Sequence, residues 1–222
     1  METLVNTRMH RRNFQKLALA LALPAPLALA ALGGRSAGIA LAQSTESPDT
    51  SLLVPTPECG DADDLIATLP QTAGPFYTPD TPERRSLLEP EMPGTRLMVS
   101  GYVYSTECQP IPGALLDFWQ ADDTGVYDNQ GYRLRGHQFA DEDGRFELET
   151  IVPGLYPGRT RHIHVIAQAP DQPPLITQLY FPEEPANASD GIFNPALVMD
   201  VQEAEDGEVA FFTFVLAEGE GE

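Results

Sequence analysis

The chain is nearly devoid of lysine. Lys16 is the only one among 222 residues, and 13 Lys+Arg stand against 33 Asp+Glu, a formal net charge of -20. Without a basic face the protein cannot grip a phosphate backbone, which excludes nucleic acid as a partner. The same shortage excludes docking on anionic membranes. Cysteine is scarce too: Cys59 and Cys108 are the whole supply, and they lie too far apart to build a zinc site. No segment carries a helical apolar period over three turns, and no internal repeat is present. What is plentiful is punctuation. The 21 Pro and 18 Gly break the chain into short apolar runs and favour strands joined by turns. With 42% hydrophobic residues the chain is long enough to bury a sizeable core, so a wholly disordered protein is excluded.

The few basic residues are concentrated at the start. Residues 1–42 hold Arg8, Arg11, Arg12, Lys16 and Arg35 against Glu2, while the remainder is strongly acidic and lysine-free. Arg11-Arg12-Asn13-Phe14 precedes an uncharged Ala- and Leu-rich stretch from Leu17 to Leu32, and Ala40-Leu41-Ala42 supplies small residues at the positions a signal peptidase reads. This order predicts a cleaved signal over 1–42, and the paired arginines resemble a twin-arginine export signal. Pro24, Pro26 and the shortness of the run argue against a permanent anchor, so no membrane attachment is expected after cleavage. The expected location is periplasmic or extracellular. An oxidising compartment favours a Cys59–Cys108 disulfide, worth about 4 kcal/mol in the chain-entropy model. Residues 43–69 read as a flexible leader and 218–222 as an acidic tail.

Between them, Leu97–Tyr104, Ala114–Trp119, Arg145–Thr150, His162–Gln168, Leu175–Phe181 and Val209–Leu216 have strand length and β-favouring content. Asp143-Gly144 marks a turn. Arg135-Gly136-His137-Gln138 reads as a loop, and Glu183–Pro195 as a surface loop. The fold class expected is all-β: an antiparallel two-sheet sandwich with long loops over residues 70–217.

His162-Ile163-His164 is the first chemical signal. Residues i and i+2 of a strand share a face, so two imidazoles project together while Ile163 and Val165 point the other way. Such a pair suits two ligands to one metal, or two hydrogen-bonded histidines on a polar strand face. Two kinds of third ligand are open: one of the many carboxylates, or a phenol. Tyr127 and Tyr156 both lie in turn-rich sequence, and a trivalent cation would lower a phenol pKa enough to hold a phenolate at neutral pH.

The ordered combination resembles a family. Trp119-Gln120-Ala121-Asp122-Asp123-Thr124-Gly125-Val126-Tyr127 is similar to the first tyrosine block of the intradiol ring-cleavage dioxygenases. Arg135-Gly136, Asp141–Phe146, Pro153-Gly154-Leu155-Tyr156-Pro157, Arg159-Thr160-Arg161-His162-Ile163-His164 and Leu175–Phe181 resemble the blocks that follow. Upstream, Thr72-Ala73-Gly74-Pro75-Phe76-Tyr77 resembles the entry segment.

The resemblance implies one ferric ion per chain, held by Tyr127, Tyr156, His162 and His164, with Tyr156 and His164 axial. It implies that Arg159 stabilises charge on the substrate ring, that Gln178 supports that pocket, that Tyr156 takes a substrate proton, and that Pro75 lines the site. The implied partners are a catechol-type aromatic and dioxygen, with a muconate-type product, and self-association is compatible with the family. Two departures stand out. Tyr156 and His162 are only six positions apart, which shortens a pocket wall, and Ala73 replaces an acidic residue common elsewhere. The competing readings are a metal-free exported binding module and a metal-binding protein without turnover.

Overall fold

The computed structural model describes residues 65–217. The expected signal, most of the leader with Cys59, and the acidic tail lie outside the described residues, and so does one half of the expected disulfide. Among the described residues there are eight strands and two 3-10 turns, and no helix is long and apolar enough to cross a membrane.

The strands are β1 (Arg96–Ser105), β2 (Leu115–Trp119), β3 (Arg135–Phe139), β4 (Arg145–Ile151), β5 (His162–Gln168), β6 (Leu175–Tyr180), β7 (Asp200–Ala204) and β8 (Gly207–Leu216). They form two four-stranded sheets, ordered β4-β1-β8-β7 and β3-β2-β5-β6. Every pairing is antiparallel except β1 with β8, which run parallel. The other six strands fall between those two in the chain and provide the long crossover that a parallel pair needs.

The sandwich follows from alternation. In β1, Leu97, Val99 and Val103 are buried while Met98 and Tyr102 on the opposite face are half-buried. Leu116 and Phe118 of β2, Leu148 of β4, Ile163 and Val165 of β5, Leu179 of β6 and Phe214 of β8 meet them in one core between the sheets. Each such side chain contributes about 1.5–3 kcal/mol on burial. Gly101 faces the same interior, where a Cβ would stand 1.7 Å from the Phe212 carbonyl oxygen. The expected turn at Asp143-Gly144 is present. Asp141 Oδ1 accepts from the Asp143 and Arg145 amides at 3.0 and 2.8 Å, and Gly144 takes a φ of 73°.

Two strands and one loop differ from the sequence expectation. Arg135–Phe139, read as a loop, is β3 and pairs with β2 from Leu115↔Phe139 to Trp119↔Arg135. β7 is an exposed, acid-rich edge strand, and such charge discourages edge-to-edge pairing with other chains. The stretch Glu183–Pro195 includes a 3-10 turn over Pro185–Ala188, capped by Glu184, and it carries a buried carboxylate, Asp190.

The outer face of the β3-β2-β5-β6 sheet is covered by the segment that precedes β1. Gln71 N donates to Ile176 O at 2.8 Å, Gln178 Nε2 to Thr72 O at 2.8 Å, and His137 N to Pro82 O at 3.0 Å. The last leader residues are also tied down, since Leu65 N donates to Thr106 O and Thr177 Oγ1 to Leu69 O.

Candidate active site

The outer face of that sheet gathers the polar chemistry. His162 and His164 are 4% and 2% exposed and sit on the opposite side of β5 from the core residues Ile163 and Val165. Their Nε2 atoms are 3.2 Å apart. His162 Nδ1–H donates to Thr160 O at 2.6 Å, which fixes the tautomer and leaves the Nε2 lone pair facing the site. Burial pushes the His162 pKa down to about 4, Arg159 lowers it further, and the Thr160 carbonyl and Asp190 oppose the fall. Burial, followed by the neighbouring His162 and Arg159, drives His164 well below its ordinary value. Both imidazoles are therefore neutral at pH 7 and able to bind a cation.

Tyr127 reaches the pair from the loop after β2. Its Oη lies 3.1 Å from His162 Nε2. The loop is shaped by Asp122, whose Oδ1 accepts from the Thr124 amide, the Thr124 hydroxyl and the Val126 amide at 3.0, 2.7 and 3.0 Å. Gly125 closes it at φ 86°, where a Cβ would stand 2.2 Å from Leu155 O. Gly154 N donates to Asp122 O at 2.7 Å. The two tyrosine loops are thus clasped backbone to backbone, and Tyr127 and Tyr156 meet edge to face at 5.9 Å between centroids. Phe76 completes the wall, stacked on Tyr127 at 4.4 Å and edge-on to Tyr156 at 5.3 Å. Burial raises the Tyr127 pKa far above an ordinary phenol, while Arg159 and Arg135 pull it down.

Arg159 and Gln178 are joined as well. Arg159 Nη2 donates to Gln178 Oε1 at 2.7 Å, and its Nε donates to Asp190 Oδ2 at 2.8 Å. The expectation did not include Asp190. This carboxylate also accepts from the Thr160 and Ile192 amides at 2.8 and 3.0 Å. Tyr180 donates to Gln178 Oε1 at 3.1 Å, and burial lifts its pKa to about 12. Asp190-Gly191 offered only a turn signal, and Tyr180 only a strand residue. Pro75 is exposed between Gly74, whose Cβ position is 3.5 Å from His164 Cε1, and Phe76.

The donor set fits a hard transition-metal ion. With bonds of about 2.1 Å, neighbouring donors around such an ion stand about 3 Å apart, as do Tyr127 Oη and His162 Nε2 at 3.1 Å and the two histidine Nε2 atoms at 3.2 Å. Among the described residues no three His, Cys, Asp or Glu side chains converge, so the carboxylate alternative lacks its carboxylate and phenols are the oxygen donors at hand. Neutral imidazoles with ionisable phenols suit ferric iron.

A family model described as Dioxygenase matches residues 72–218. The chain belongs to the intradiol ring-cleavage dioxygenases. This family comprises ring-cleaving oxidoreductases. A solved dioxygenase domain from a dioxygenase–carbohydrate-binding protein fusion of Streptomyces sp. SirexAA-E is 56% identical, with a TM-score of 0.68 over 69% of this chain and 100% of that one. Hydroxyquinol 1,2-dioxygenase from Rhizobium sp. is 30% identical over 62% of this chain and 56% of its own length. Chlorocatechol 1,2-dioxygenase from Rhodococcus opacus is 31% identical over 64% of this chain and 70% of its own. The chain spans about half the length of the first curated relatives it matches, 56% and 49%. The intradiol resemblance read from Trp119–Tyr127 through Leu175–Phe181 falls inside the matched residues.

Proposed function

We propose that this protein is an exported ferric dioxygenase that opens catechol-type rings between their two hydroxyls with dioxygen, giving cis,cis-muconate-type products. The observation that carries this reading is the convergence of Tyr127, His162 and His164 beside the Arg159–Gln178 pair. His162, His164, Tyr127 and Tyr156 would hold the metal. Bound there, ferric iron supplies Lewis acidity and a template for the two catechol oxygens.

The protein's own residues do the rest. The two histidines bring no proton to the site at neutral pH, so the charge needed to balance the metal comes from the phenols. Tyr156, half-buried and edge-on to Tyr127, would accept a substrate hydroxyl proton. Arg159, held at two nitrogens, presents a fixed cation to negative charge developing on the ring, and the surrounding protein makes that charge count for more than it would in water. Trp119, Phe76 and Tyr127 keep water from one side. The Tyr156–His162 connection turns at Gly158, φ 80°, with nothing within 4 Å of its Cβ position, while Leu155 and Val126 are exposed. This supports a wide mouth with an apolar rim that admits substituted catechols.

The test is iron content and a visible spectrum of the mature protein, before and after anaerobic catechol. A phenolate-to-iron band that moves to longer wavelength with catechol, followed by muconate release in air, is the expected result. A protein that stays colourless after iron reconstitution would instead favour the metal-free binding module. His162→Ala and His164→Ala should abolish iron and colour together. Export is tested by fusing residues 1–42 to a reporter, with and without Arg11→Lys and Arg12→Lys.

A further inference from the structure

The outer face of the β4-β1-β8-β7 sheet has no counterpart, among the described residues, to the segment that covers the other sheet. Its centre is apolar. Met98, Tyr102 and Tyr104 of β1 alternate with the core residues Leu97, Val99 and Val103 and so face outward. Val209, Phe211 and Thr213 of β8 alternate with Ala210, Phe212 and Phe214 in the same way and stand beside them, at the register pairs Met98↔Val209 and Tyr102↔Thr213. The Tyr102 ring lies 5.7 Å from Tyr104 and 6.2 Å from Phe211 between centroids. Charge is confined to the β4 flank, where Arg145 pairs with Glu147 at 3.0 Å and Arg96 with Glu149 at 3.2 Å. Thr213 Oγ1 is buried with no hydrogen-bond partner among the described residues. A contiguous aromatic and aliphatic strip with a buried, unpaired hydroxyl is a surface made to be covered.

The chain brings its own cover to the end of this strip. Cys108, in the turn just after β1, is disulfide-bonded, and Cys59 is the other cysteine of the chain. The same turn receives Leu65, whose amide donates to Thr106 O at 2.7 Å. Residues 43–64 are polar and acidic except for Leu52-Leu53-Val54, and these stand directly before Pro55-Thr56-Pro57-Glu58-Cys59. Prolines favour an extended polyproline conformation of about 3.1 Å per residue, so Leu52 reaches about 22 Å from Cys59. The strip from Tyr104 to Met98 is about 20 Å long at the rise of a strand.

We propose that Leu52–Glu58, tethered by a Cys59–Cys108 bridge, lies along this strip as an intramolecular cover. Pro57 and Pro55 pack on Tyr104 and Tyr102, as proline-rich segments do on aromatic grooves, and Val54, Leu53 and Leu52 continue over Phe211 towards Met98 and Val209. The cover also fixes the start of the segment that passes Thr68, whose amide donates to Val215 O at 2.9 Å, and Gln71 on its way to Phe76 at the candidate active site.

The test is made on the oxidised mature protein and needs no iron, so it stands apart from the dioxygenase reading. Tyr102→p-benzoylphenylalanine, irradiated, should cross-link within one chain to residues 51–58, located by mass spectrometry. Adding Cys59→Ser should lower that yield several-fold, because the tether supplies the effective concentration. Melting of Phe211→Ala, of Leu52→Ala with Leu53→Ala, and of all three together gives a second reading. Because the two sides touch, the combined loss in Tm should be smaller than the sum of the separate losses. Cross-links between two chains would make the occupant a second copy and overturn the proposal. So would cross-links elsewhere or none, a yield indifferent to Cys59→Ser, or strictly additive losses.

Discussion

The indole of Trp119 lies parallel to the imidazole of His164, 5° apart in plane and 4.8 Å between centroids. The stack joins β2 to β5 at a register pair and fixes the direction of the His164 ring from one side. Tyr77 packs on the indole at 4.9 Å. Trp119→Ala should cost about 3–5 kcal/mol of stability. Trp119→Phe keeps a ring in place and should retain iron at least about tenfold better than Ala by chelator competition. Equal iron loss in both variants would show that the stack does not orient the ligand.

The clasp between the two tyrosine loops makes a backbone prediction. Gly125→Ala would drive a methyl to 2.2 Å from Leu155 O, so the loops must part and Tyr127 must shift. Gly113 has a similar left-handed backbone, φ 69°, but nothing within 4 Å of its Cβ position. Gly113→Ala should therefore cost only the conformational strain, about 1–2 kcal/mol, and keep full iron binding. Gly125→Ala should lose more stability and most of its iron. Calorimetry and metal analysis on the pair decide it, and indistinguishable variants would refute the clasp.

Asp190 should matter to Arg159 without touching the metal. It is one half of a largely buried ion pair, with side chains 3% and 20% exposed. Asp190→Ala leaves the guanidinium without its Nε acceptor and should destabilise by about 3 kcal/mol. Its kinetic signature should fall on kcat more than on KM, since an untethered cation still attracts substrate but no longer meets the charge that develops on the ring. Iron content should remain native. A variant with lowered iron, or with KM alone altered, would speak against this role.

Asp117 gives the pH dependence. Burial raises its pKa above the ordinary value of about 3.9, outweighing hydrogen bonds from Thr81 and Tyr77 and the nearby His137 and Arg135 charges. The folded state then holds this proton more tightly than the unfolded chain. Stability from the group is complete below the ordinary Asp value and is lost as pH rises through the raised folded value. Asp117→Asn removes that loss. Its Tm relative to the native protein should climb as pH goes from about 3.5 to about 7. A difference that is flat or falls over this range would contradict the sign.

How far the sequence revealed this site depends on how local each signal was. His162 and His164 were legible because strand alternation alone places them on one face. The loops of Tyr127 and Tyr156 carried their own Asp and Gly signals. β3 was not legible, because Arg, Gly, His and Gln have little intrinsic preference for a strand, and pairing with β2 imposes the conformation. Asp190 was hidden for the opposite reason. Its surroundings are polar and turn-rich, and only the approach of Arg159, 31 positions earlier, gives the carboxylate a purpose. The parallel β1–β8 pair also has no local signature, since its register is set by strands from the two ends of the domain closing on each other.

Register pairs set Arg135, Trp119, His164 and Gln178 in one row across four strands, held by ladder hydrogen bonds, so none of the four can move alone. The Tyr156–His162 connection, by contrast, swings through an open turn at Gly158 with space beyond it. Chain could be added there, and a new pocket wall raised against a different ring, while the row beneath stays in place. Within this architecture, the choice of substrate can diverge quickly because the chemistry it depends on is anchored elsewhere.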